Sequence, residues 1–230
     1  MINNEKNNTL LVSGMHRTGH HAIMQWITSN LNLNTIFDKR IIKKQKSIFD
    51  NYENIITGQK NDIIVYDLEN YQNKYKKFIK EFDVKVLIIR DPFNTLSSIK
   101  KLKQNNNKKF NIEKYLSIYE FNVTNVDDFD FFILYNNWFS DVDYRIKIGK
   151  ILNLNESCKN KINNITKDGD GSSFDRFNYS NNIDNMKVFE RYKYLSKNEI
   201  KLIRSNKNVI YFTKKYFNDI LQKINKEYEF

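Results

Sequence analysis

The residues best suited to chemistry crowd into one stretch, Leu10–Ile27, LLVSGMHRTGHHAIMQWI. All three histidines of the chain, His16, His20 and His21, sit there with Arg17, Thr18 and two of the six glycines. Leu10-Leu11-Val12 reads as a buried strand that breaks at Ser13-Gly14. Apolar residues resume at helical spacing in Ala22, Ile23, Met24, Trp26 and Ile27. Strand, Gly-bounded loop and helix in succession bring backbone N–H groups and a helix N-terminus around one anion. Gly14 and Gly19 have the G-x-x-x-x-G spacing of a phosphate loop, but His20 and His21 stand where a nucleoside-triphosphate loop carries Lys and Ser/Thr. The Lys that reaches the β- and γ-phosphates and the hydroxyl that holds Mg²⁺ are therefore not at their places. Arg17 and Thr18 remain. Backbone amides plus a guanidinium can grip a phosphate without a metal, which suits a 5′-phosphosulfate better than a triphosphate.

Three histidines within six residues also raise a zinc site, which would draw a fourth ligand from Cys158 or a carboxylate. In a loop shaped around a phosphate the three rings are not expected to converge, so no metal is expected.

These side chains need a scaffold. The first strand and helix take up Thr9 to Asn32, and Thr35–Phe37 reads as a short second strand. Asp38–Gly58 is basic and weakly periodic, read as helix plus loop. Asp62–Asp67 is a strand ending in the acidic pair Asp67 and Glu69, and Tyr71–Phe82 has helical spacing. Val84–Ile89 is apolar enough to be a parallel strand buried on both faces. It runs into Arg90-Asp91-Pro92, with Asp91 a natural N-cap and Pro92 a natural first helical residue, and the helix continues through Leu96, Ile99 and Leu102. Gln104–Asn111 is a polar loop and Ile112–Phe121 a helix. Asp130–Tyr135 is a strand and Asp141–Leu152 an amphipathic helix. Leu195–Ile203 and Lys214–Ile224 read as helices, with Asn208–Phe212 between them as an edge strand. Alternating β and α elements predict a three-layer α/β domain with a mainly parallel central sheet. Its ligand belongs at the C-terminal ends of the strands.

Composition bounds the rest. The 230 residues suit one domain, 1–230, and 40% hydrophobic content with 14% aromatics excludes a disordered chain. No run of about 18 apolar residues occurs, so no membrane span is expected. A lone Cys158 excludes a disulfide framework and fits a reducing compartment, so a soluble, cytoplasmic protein is expected. The net charge of +11 invites a nucleic-acid reading, yet the lysines are spread along the chain and no nucleic-acid module is recognisable. Only seven of the 38 cationic residues are Arg, so their places are informative: Arg17 and Arg90 lie in the two clearest motifs and Arg176 in a weaker one. A positive field would help attract an anionic donor.

Gly14-Met15-His16-Arg17-Thr18-Gly19 resembles the 5′-phosphosulfate loop of sulfotransferases that use 3′-phosphoadenosine 5′-phosphosulfate (PAPS), in its G-x-x-[RK]-[ST]-G form. His20 departs from the family, which more often has Thr or Ser there. Arg90-Asp91-Pro92-Phe93-Asn94-Thr95-Leu96-Ser97-Ser98 is similar to the family's 3′-phosphate segment, with Arg at the strand end and Ser eight positions later. A capped helix after a strand is the plainer account of the same residues.

The resemblance implies a P-loop-like sulfotransferase fold and PAPS as donor, with adenosine 3′,5′-bisphosphate (PAP) as product. The acceptor would be a hydroxyl or amine on a glycan or small molecule. It implies that Arg17, Thr18 and the amides of Gly19, His20 and His21 serve the leaving phosphate, with Gly14 and His16 in the same loop. Arg90 and Ser98 would hold the 3′-phosphate. Asp168–Phe177, with Ser172, Ser173 and Arg176, falls where the family has a loop closing over the nucleotide; a polar surface turn would look the same.

Family members use a His or a Glu as base on a segment after the second or third strand. No His follows His21, so Glu69 is the first candidate and Asp67 the second, unless one of them caps the next helix. His20 is the rival. The alternatives are a P-loop kinase-like enzyme, which the missing Lys and hydroxyl disfavour, and a non-catalytic nucleotide-binding module of the same fold.

Overall fold

The computed structural model describes residues 8–31, 35–38, 63–161, 172, 174, 175, 179 and 182–228. Five strands form one sheet: β1 (Asn8–Gly14), β2 (Thr35–Asp38), β3 (Ile63–Glu69), β4 (Val84–Ile89) and β5 (Phe131–Leu134), in the order β2-β3-β1-β4-β5. Every pairing is parallel. The α/β class and the parallel sheet are thus as expected.

β1, β3, β4 and β5 each carry an apolar run because they feed two cores. Leu11, Ile64, Tyr66, Leu68, Leu87 and Ile89 point to one face. Their neighbours Leu10, Val12, Ile63, Val65, Val86 and Ile88 point to the other. Helix α1 (His20–Asn30) covers the second face through Ile23, Met24, Trp26 and Ile27. It is joined by α4 (Tyr135–Ser140) and α5 (Val142–Leu152), through Trp138, Ile148 and Leu152. The first face is covered by α2 (Pro92–Asn105) and α3 (Ile112–Thr124). The C-terminal helices α6 (Lys197–Ser205), α7 (Lys207–Tyr216) and α8 (Asn218–Tyr228) complete that layer. Among the described residues no helix is long and apolar enough to cross a membrane.

The alternation fixes where the strand ends point. Continuing Ile63 and Val65 by twos puts Asp67 and Glu69 on the α1 side of the sheet. In register, Val12 pairs with Asp67 and Gly14 with Glu69, so both carboxylates flank the loop that follows β1.

Three elements differ from the sequence reading. Asn208–Phe212 is not an edge strand but the first half of α7. Its β-branched and aromatic residues bury at Val209, Phe212 and Thr213, a helical spacing, and Asn206 caps the helix by accepting from the Val209 amide at 3.0 Å. Tyr71–Phe82 is not one helix but two short 3₁₀ turns, Asn73–Tyr75 and Phe78–Glu81. The tighter winding still buries Tyr71, Tyr75, Ile79 and Phe82, and the Tyr71 hydroxyl donates to Asp128 at 2.6 Å. The helix read from Lys214 breaks at Phe217, which separates α7 from α8. Most of Asp38–Gly58 lies outside the described residues, as do Ser173 and Arg176 of the Gly-containing loop.

Candidate functional site

Two clusters meet at the C-terminal ends of β1, β3 and β4. The first is built by the loop Met15–Gly19. Two left-handed residues shape it, Arg17 at φ 67° and Gly19 at φ 84°. The Thr18 amide and hydroxyl both bond the Met15 carbonyl, at 3.1 and 2.8 Å, so the Thr18 side chain is turned into the loop. Gly14 permits that packing, because a Cβ there would lie 2.8 Å from Thr18 Oγ1 and 3.0 Å from the His20 Cβ. Gly19 stands as N-cap of α1 and offers no side chain to cap it. A helix N-terminus left open in this way favours an anion.

Gly19 also lies against the Tyr135 ring, where an added Cβ would come within 2.2 Å of Cε2. Gly19→Ala should therefore displace the Tyr135 ring or the loop, on top of the roughly 1 kcal/mol or more that a left-handed non-Gly residue costs. A lowered melting temperature together with weakened nucleotide binding would be the expected result; a variant that binds and melts like the parent would remove the constraint.

The carboxylates of β3 engage all three histidines. His16 Nδ1 is 2.9 Å from Glu69 Oε2, and the His16 amide donates to Asn70 Oδ1 at 2.9 Å. His20 Nε2 is 3.0 Å from Asp67 Oδ1 and 3.8 Å from Glu69 Oε1. His21 Nε2 is 3.5 Å from Glu69 Oε1. The His20 side chain is 1% exposed, whereas His16 and His21 are 31% and 25% exposed, so the cluster opens to solvent on one side. Burial alone would push the Glu69 carboxyl up. Hydrogen bonds from His16 and His21 and the fields of His16 and His20 outweigh it and hold the group well below the usual carboxylate range. Glu69 is thus a firm anion, and neither it nor Asp67 caps a following helix.

Of the three histidine rings expected not to converge, two do, while His16 stays outside their group. The His20 and His21 rings lie 4.0 Å apart between centroids. Their donor atoms and a Glu69 oxygen fall within 4.8 Å of one another. The strand β3 supplies the reason: its carboxylates face α1 and draw the first turn of the helix onto them. Cys158 takes no part. It is buried elsewhere, and its carbonyl accepts from the Trp26 indole N–H at 2.9 Å.

The second cluster starts at Arg90, 2% exposed at the end of β4. Its guanidinium donates to the carbonyls of Val188 and, at 3.4 Å, Arg17, and lies 5.0 Å over the Tyr135 ring. Asp91 caps α2 as the sequence suggests, accepting from the Asn94 amide at 2.8 Å. The Ser98 hydroxyl donates to the Asn94 carbonyl at 2.8 Å and accepts from Arg191 Nη1 at 3.4 Å. Arg191 Nη2 also donates to Ser172 Oγ at 2.9 Å and to Asp175 Oδ2 at 3.0 Å.

Arg191 is the residue that sequence reading missed. It lies in a 3₁₀ turn, Arg191–Tyr194, 93 positions from the serine it touches. Burial, followed by the fields of Arg90 and Arg17, pushes its guanidinium down to about 10, against the pull of Tyr135 and Asp175. Arg90 and Arg17 both act on the buried Arg191 against the single carboxylate of Asp175, which favours an anion beside it. The scarcity of Arg among the 38 cationic residues is the one sequence signal that could have drawn attention to Arg191. Of the predicted donor-binding residues, the structure thus brings Arg17, Arg90, Ser98 and Ser172 into one region, and His16, His20 and His21 into the adjoining one.

No family model matches the chain, and no curated protein matches it. Among solved structures, the chain is similar to a mouse sulfotransferase, SULT7A1, complexed with PAP. That likeness covers 86% of this chain and 88% of the mouse chain, with a TM-score of 0.49 and 15% identity.

Proposed function

We propose that this chain is a sulfotransferase that moves a sulfuryl group from PAPS to a hydroxyl or amine acceptor. The observation that carries the reading is the gathering of Arg17, Arg90 and Arg191 beside the open N-terminus of α1, in a loop without the Lys and hydroxyl that a Mg²⁺–triphosphate site needs. In this reading Arg17 and the α1 amides face the 5′-phosphosulfate, while Arg90, Ser98 and Arg191 hold the 3′-phosphate. Gly14, Thr18 and Tyr135 shape the cradle. Ser172 supports Arg191, and Ser173 and Arg176 follow it in the sequence as further candidates for the nucleotide.

The acceptor oxygen attacks sulfur in line, and the bond from sulfur to the bridging phosphate oxygen breaks. The electron pair leaves with PAP, whose developing charge Arg17 and the amides offset. The acceptor proton goes to the His16–Glu69 pair. A carboxylate held so far below its usual range is a weak proton acceptor by itself. It is well suited to accept the His16 Nδ1–H and stabilise an imidazolium, leaving Nε2 to take the proton. Asp67 orients His20 in the same way on the donor side. The acceptor is a glycan or small molecule, and a lone buried cysteine fits a reducing compartment such as the cytoplasm.

The test is acceptor-dependent release of PAP from PAPS across a panel of hydroxyl and amine compounds. Turnover with at least one acceptor is the expected result. PAPS binding without turnover on any of them would favour a non-catalytic module.

A further inference from the structure

We propose that His20, His21 and Glu69 form a binding site for a divalent transition metal of the zinc type, with a position left for water. The inference goes beyond the sulfotransferase reading and does not depend on it, because it is read as metal bound and not as turnover.

The geometry carries it. Donor atoms of His20, His21 and Glu69 lie within 4.8 Å of one another with no ion present. Tetrahedral zinc with bonds of about 2.0–2.2 Å sets its ligand atoms about 3.3–3.6 Å apart. The separation from Glu69 Oε1 to His21 Nε2 is 3.5 Å and to His20 Nε2 3.8 Å, at or just above that range. Asp67 Oδ1, 3.0 Å from His20 Nε2, lies beside the three but is not one of the converging donors.

The donors come from two rigid elements, the end of β3 and the first turn of α1, and not from a floppy loop. Two neutral imidazoles and a ligating carboxylate, with the Asp67 carboxylate close by, offset a dication. Zinc, cobalt and nickel accept this mixed nitrogen–oxygen set, whereas Ca²⁺ and Mg²⁺ prefer oxygen alone. The remaining oxygen, Glu69 Oε2, is held by His16 at 2.9 Å. That is the outer-shell hydrogen bond that orients a ligating carboxylate. Binding through His20 Nε2 requires the neutral ring with its hydrogen on Nδ1.

The experiment uses the tag-free full chain, stripped with EDTA and dialysed, then titrated with Co²⁺ and followed by visible absorption. We expect one equivalent to produce the strong d–d bands of a four- or five-coordinate site, and Zn²⁺ to bleach them. His21→Ala and Glu69→Gln, each checked for fold by circular dichroism, should each weaken the metal by roughly 100-fold or more, above the 10–100-fold cost of losing an outer-shell partner. Two partly exposed positions are chosen so that the failure of one variant to fold leaves the other decisive. Cys158→Ser should bind as the parent does. Absence of the bands in the parent, their survival in both ligand variants, or their loss in Cys158→Ser would each overturn the site.

Discussion

His16→Gln should leave PAP binding and the fold intact while lowering turnover roughly 10²–10⁴-fold, the range for a lost general base. Glu69→Gln should fall in the same range, because without the carboxylate the ring loses both its orientation and the partner of its positive charge. The two changes remove one unit, so the double variant should be little worse than the poorer single one. Full multiplication of the two effects would mean that they act separately. A normal His16→Gln beside a crippled Glu69→Gln would give the proton to the carboxylate itself. If both turned over normally and His20→Gln did not, the proton would belong to the Asp67-linked ring on the donor side.

Arg191→Gln, paired with Asp175→Asn so that no carboxylate is left without its partner, should weaken PAP by roughly 10–150-fold. That is the equivalent of the about 1.5–3 kcal/mol that a charge-assisted hydrogen bond is worth. Binding of adenosine 5′-monophosphate, which has no 3′-phosphate, should hardly change. The contrast isolates the 3′-phosphate from any general loss of positive field, which would weaken both nucleotides alike and fall with salt. Arg17→Ala should instead lower the chemical rate more than donor affinity, because its partner gains charge in the transition state.

The parts of this fold legible in the sequence are those where local pattern and tertiary need agree. β4 is apolar from Val86 to Ile89 because it feeds two cores, and Arg90-Asp91-Pro92 marks its end with a cap that the structure contains. The loop from Gly14 to Gly19 is equally plain. Asn208–Phe212 misled because β-branched and aromatic residues suit a strand, while the spacing of Val209, Phe212 and Thr213 that makes a helix emerges only once a face is buried. Arg191 was invisible because its partner Ser98 is 93 positions away, and nothing local announces a contact of that range.

The histidines are the most instructive case. A loop shaped around a phosphate gives no reason for the His20 and His21 rings to converge. Only the parity of β3, which turns Asp67 and Glu69 toward α1, brings the rings together at 4.0 Å.

The account rests on a cradle built for a nucleotide with phosphates at both the 5′ and 3′ positions. Isothermal titration of the intact chain with PAP, adenosine 5′-monophosphate and ATP–Mg²⁺ tests it most directly. PAP should bind at least about 10-fold more tightly than the monophosphate, in line with one or more charge-assisted hydrogen bonds, and EDTA should leave its affinity unchanged. Equal affinities for PAP and the monophosphate, or a preference for ATP–Mg²⁺, would contradict it.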